Sequence, residues 1–96
     1  MAEDHVATIV RTLAVYLRAN PLACDTISGI ARWWVDPEVR VSTTELADAL
    51  TWLTRFGALE VVATGDGRKR YRRVGDDSVL DAAAGAANGM SNRSER

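Results

Sequence analysis

Apolar residues near the start of the chain recur with helical spacing. Val6, Ile9, Val10, Leu13 and Leu17 fall at i, i+3, i+4, i+7 and i+11, which is one face of an amphipathic helix. Asp4 is placed to cap its start. Asn20-Pro21 ends it, because proline disfavours helix in the residue before it. Ile27, Ile30, Ala31 and Trp34 repeat the spacing, so a short second helix is expected from a cap at Asp25 to about Val35, with Pro37 beyond it. The glycine at position 29 weakens it by about 1 kcal/mol relative to alanine, so this helix needs tertiary support. Glu38–Ser42 is β-prone but short, and reads as an extended connection.

The strongest helical stripe follows. Leu46, Leu50 and Leu53 form its centre, Ala49 and Phe56 flank them, Ser42 or Thr43 caps the start, and Gly57 sits where a C-terminal glycine belongs. Then "LEVVAT" and "RKRYRRV" flank Gly65-Asp66-Gly67, the pattern of a β-hairpin. Residues 75–96 are rich in Ala, Gly, Ser and Asn and read as a tail, with a short helix at 78–87 and a disordered end from Met90. A chain ending after Gly75 is therefore expected to keep its fold.

Charge changes this picture locally. The whole chain carries a net charge of -1, which argues against a generic polyanion binder. Glu60–Arg73 nevertheless holds five bases and two acids (+3), and Gly75–Arg96 holds four acids and two arginines (-2). A basic hairpin is thus followed directly by an acidic tail. No run of 18 apolar residues is present, and the start is acidic, so neither a membrane span nor a signal peptide is expected and a cytoplasmic location fits. His5 and Cys24 each stand alone, without a metal-ligand or nucleophile–base spacing. No enzyme and no cofactor are expected.

"STTELADALTWLTRFGALE" and "GDGRKRYRRV" together resemble the third helix and wing of the winged helix-turn-helix domains of MarR, PadR and ArsR-like bacterial regulators. The shared features are Leu50, Leu53, Gly57 and Leu59, then a glycine–acid turn before arginines and a tyrosine. The resemblance spans about Val6–Val74. It implies a mainly α fold with a small β-hairpin, a three-helix bundle plus wing in residues 1–74. It also implies a duplex DNA partner and a transcriptional role, with the third helix in the major groove.

On that helix the side opposite the leucines carries Thr44, Asp48, Thr51 and Arg55, the residues that would face the groove. Positions that often hold Ser, Arg or Lys in the family hold Asp48 and Thr51 here, and Glu45 adds an anion. On the wing, alternation separates Arg70 and Arg72 from Lys69, Tyr71 and Arg73. With Tyr71 on the core side, Arg68, Arg70 and Arg72 are the arginines expected to reach phosphates. A second reading uses the same fold as an adaptor for an unidentified protein partner, through Trp33, Trp52, Glu45 and Asp48, since tryptophan is favoured at interface hot spots. A homodimer through the 78–87 helix fits either reading.

Overall fold

The computed structural model describes residues 2–35, 38 and 41–93, with side chains for 6–35, 38 and 41–87. Helix α1 (Ala2–Ala19) is already formed at Ala2, so Asp4 lies inside it rather than capping it. At its other end the Asn20 N–H and side-chain amide both donate to the Tyr16 carbonyl, at 2.9 and 3.0 Å, before Pro21 breaks the pattern. Ile9, Val10, Leu13 and Leu17 are fully buried, as the spacing predicts, and Ala7 and Ala14 are buried with them.

Strand β1 (Cys24–Asp25) precedes helix α2 (Ile27–Gly29), which continues as a π-helical turn over Ile30–Trp34. The cap is Thr26 rather than Asp25: the Thr26 Oγ1 accepts from the Gly29 N–H. Asp25 instead turns its carboxylate onto the Thr26 N–H at 2.8 Å. That carboxylate occupies the space beside Gly29, so a side chain at this position would have to displace it from the Thr26 N–H. The wider π turn also shifts the phase of the stripe. Ile30 and Trp34 point inward, but Ala31, expected on the apolar face, is exposed. Positions 39 and 40 of the Glu38–Ser42 connection lie outside the described residues, and its other residues are in neither helix nor strand.

Helix α3 (Thr43–Phe56) carries a complete capping box. Ser42 Oγ accepts from the Glu45 N–H at 3.0 Å, and Glu45 Oε1 accepts from the Ser42 N–H at 3.1 Å. Leu46, Ala49, Leu50 and Leu53 are buried. Gly57 closes the helix at φ 96°, and the Ala58 N–H reaches back to the Leu53 carbonyl at 3.0 Å.

Strands β2 (Leu59–Ala63) and β3 (Lys69–Arg73) form the expected hairpin. The sheet has a third strand, however, because β1 pairs antiparallel with β3, giving the order β1-β3-β2. Two residues are too few to show a period in the sequence, which is why only a hairpin was legible there. The described fold is therefore mainly helical, with a small three-stranded antiparallel sheet.

Helix α4 (Asp77–Arg93) is longer than the 78–87 segment expected, and it is not a free tail. It packs along α1, and Leu80, Ala83 and Ala87 are fully buried in the same core. The end expected to be disordered, from Met90, is backbone helix to Arg93, with the rest outside the described residues. Arg73 fastens this end of the molecule. Its guanidinium donates to the carbonyls of Gly75 (2.6 Å) and Leu17 (3.1 Å) and to Asp77 Oδ1 (2.9 Å), joining β3, α1 and α4. Arg18 adds an ion pair to Asp81 at 2.8 Å.

Candidate nucleic-acid interface

The four outward residues of α3 stand where its helical phase puts them: Thr44, Asp48, Thr51 and Arg55 are all exposed. Glu45 is only partly exposed, since its carboxylate is engaged in the capping box. The N-terminal half of this surface is therefore acidic at Asp48, and its one cation, Arg55, lies in the last turn.

The register of the sheet fixes the two faces of β3. Leu59 lies opposite Arg73, Val61 opposite Tyr71 and Ala63 opposite Lys69, so these pairs share one face, which meets the core at Leu59 and Tyr71 and is exposed at Val61, Ala63 and Lys69. Tyr71 packs against that core. Arg70 and Arg72 lie on the other face with Val62 and Glu60. The three wing arginines expected to be freest differ in state. Arg72 is ion-paired with Glu60 across the strands, so its charge is already opposed. Arg68 stands 3.8 Å from Asp66, with its side chain largely exposed. Arg70 forms no ion pair among the described residues. The acids after the wing are engaged elsewhere among the described residues: Asp77 with Arg73, Asp81 with Arg18, and Asp76 as the cap of α4.

The tip is a closed hydrogen-bonded unit. The Thr64 hydroxyl donates to Asp66, the Arg68 N–H donates to Asp66 Oδ1 at 3.1 Å, and the Gly67 N–H donates to the Thr64 carbonyl at 3.0 Å. Gly67 adopts φ 83°, a conformation glycine takes without strain. The hydrogen bonds from Thr64 and then Arg68 hold the Asp66 carboxyl below its ordinary value of 3.8, so it is ionised at neutral pH and keeps the tip folded.

Two shallow depressions flank the core-facing side of β3. One, of about 580 Å³, is lined by Thr26, Ile27, Ser28, Gly67, Arg68, Lys69 and Tyr71. The other, of about 320 Å³, is lined by Thr51, Thr54, Arg55, Val61, Lys69 and Tyr71. They share Lys69 and Tyr71. The structure thus brings Thr51 and Arg55 of α3 together with Lys69 and Tyr71 of the wing, and leaves Arg70 and Arg72 on the opposite face. Lys69 is the residue that sequence reasoning passed over. The signal was available: once Tyr71 is assigned to the core side, Lys69 shares that side, and at the end of its strand it borders α3 rather than being covered.

The tryptophans divide in the same way. Trp34 is buried and stacks on Tyr16, with ring centroids 5.2 Å apart. Trp52 is partly buried against the core and stacks on Phe56 at 5.0 Å. Trp33 is 67% exposed, with the Arg32 guanidinium 5.8 Å from its ring centre. Cys24 is an exposed free thiol, and no group of His, Cys, Asp and Glu among the described residues is arranged to hold a metal. No helix among them is long and apolar enough to cross a membrane. No protein-family model matches the chain, and neither a curated protein nor a solved structure gives a significant match.

Proposed function

We propose that this chain is a winged helix that binds duplex DNA as a small transcriptional regulator in the bacterial cytoplasm. One observation carries the reading. The outward face of α3 and the wing form one surface, because Thr51, Thr54 and Arg55 of the helix line the same depression as Val61, Lys69 and Tyr71 of the hairpin. A helix presented beside a basic hairpin is the arrangement that places side chains in a major groove while cations hold the flanking backbone. The element order and the β1-β3-β2 sheet support the winged-helix assignment. Thr44, Asp48, Thr51 and Arg55 would face the groove, where Asp48 is suited to accept from the amino group of cytosine.

The adaptor reading is favoured by a different observation, the exposure of Trp33 beside Arg32. A solvent-facing indole is a large apolar area held at low entropy cost, which is what interface hot spots use. It predicts no duplex binding even at low salt. Fluorescence anisotropy of a labelled random-sequence duplex, titrated with the protein over a range of salt concentrations, separates the two. A steep fall of log K with log salt supports DNA binding. No anisotropy change at the lowest salt overturns it.

A further inference from the structure

Resting on that reading, we infer that one phosphodiester strand of the nucleic acid lies in the groove over Lys69 and Tyr71, between Arg68 and Arg55. The outer-face arginines, Arg70 and Arg72, take no part. The composition of the groove is the first argument. Acids outnumber bases in the chain, 13 to 12, yet the two depressions are lined by three cations and no carboxylate. Asp25, opposite Tyr71 in the sheet, has its carboxylate turned onto the Thr26 N–H and does not line the groove, and Asp66, 3.8 Å from Arg68, is held at the tip by Thr64 and the Arg68 N–H.

The state of each charge is the second argument. Arg55 and Lys69 form no ion pair among the described residues, and the Arg68 side chain is 73% exposed. A phosphate arriving there releases counterions without first breaking a strong internal pair. On the outer face the Arg72–Glu60 pair has to be broken, and Glu60 repels the incoming anion.

Placement is the third. β3 is the central strand, with Tyr71 paired to both β1 and β2 and Lys69 paired to Ala63 of β2, so both backbones are held before binding. Exposed hydroxyls at Ser28 and Thr51 stand at the two ends, able to donate to phosphate oxygens. Tyr71 forms the shared floor, an apolar ring on which a sugar can rest.

The test compares two double variants in the anisotropy titration, with thermal melts confirming that both fold. Arg55→Ala/Lys69→Ala should flatten the log K against log salt slope by about 1.8, at about 0.9 per phosphate contact. Arg70→Ala/Arg72→Ala should leave that slope within error of the parent. The opposite ranking, or an equal effect of both pairs, overturns the inference while leaving duplex binding intact. Should the parent bind no duplex, the functional reading fails, and the groove is judged by inorganic pyrophosphate in an amide NMR titration. Shifts confined to Arg55, Arg68, Lys69 and Tyr71 would keep the groove as a phosphate site. Shifts elsewhere, or none, would overturn it as well.

Discussion

Helices α3 and α4 do similar work with opposite means. Both begin at a capping side chain and both bury one face completely. α3 buries Leu46, Leu50 and Leu53 around a single alanine. α4 buries Leu80 with Ala83 and Ala87, against a helix that contributes Ala7 and Ala14 to the same cluster. Small side chains let two helices approach closely, so α4 gains contact through proximity where α3 gains it through bulk. Burial is thus a property of the pair of surfaces, and a face of alanines can be as dry as a face of leucines.

The comparison breaks most readily by removing α4. A chain ending after Gly75 loses Leu80, Ala83 and Ala87 and uncovers the α1 face they cover. Total stability for a small domain is about 5–15 kcal/mol, so this loss should abolish cooperative thermal unfolding followed by circular dichroism. A truncated chain that melts like the parent would show that α4 contributes nothing to the core. Next in size, Leu50→Ala and Leu80→Ala should each cost about 2–5 kcal/mol in urea unfolding, because both side chains are fully buried. A much smaller loss for Leu80→Ala would mean that α4 docks loosely.

The caps sharpen the contrast with smaller effects. Ser42→Ala removes the hydroxyl that accepts from Glu45 and should cost about 1 kcal/mol. The cap of α4 is a carboxylate instead. The Ser78 hydroxyl and then the Val79 N–H donate to Asp76 and lower its pKa below the ordinary 3.8. The folded-state value is the lower one, so the stabilisation is fully present above pH 3.8 and is lost as pH falls through that lowered value. Asp66 at the wing tip titrates in the same direction. In acid titrations, Asp76→Asn should therefore lose less stability than the parent below about pH 4. An unchanged acid profile would show that the Asp76 cap is not formed in solution.

The same contrast explains what the sequence disclosed. α3 announced its phase through three leucines, its start through Ser42 and Glu45, and its end through Gly57. Each of those residues has one strong structural use. The exposure of Thr44, Asp48, Thr51 and Arg55 followed from that phase alone. α4 was readable as a short helix but not as core, because alanine and glycine are equally at home in a solvated tail and in a close helix contact. β1 was invisible, as its two residues are held by β3 and not by any preference of their own. The wing charges were legible, and alternation already set Lys69 beside Tyr71 and apart from Arg70 and Arg72. That Arg72 is opposed by Glu60 depends on strand register, which alternation alone does not supply.

Arg73 joins the chain's first helix to its last strand, and its bond to the Leu17 carbonyl spans 56 residues. The neighbouring contacts are equally distant in the chain, since α1 is covered by α4 and β1 is paired by β3. During synthesis, α3 is available to pack on α1 first, but the part of α1 that α4 covers stays bare until residues past Asp77 have been made. Folding should be a late event, gated by closing that long loop rather than by forming any helix. Through that interval a nascent helix displaying Ala7, Val10 and Ala14 is the surface a chaperone would find.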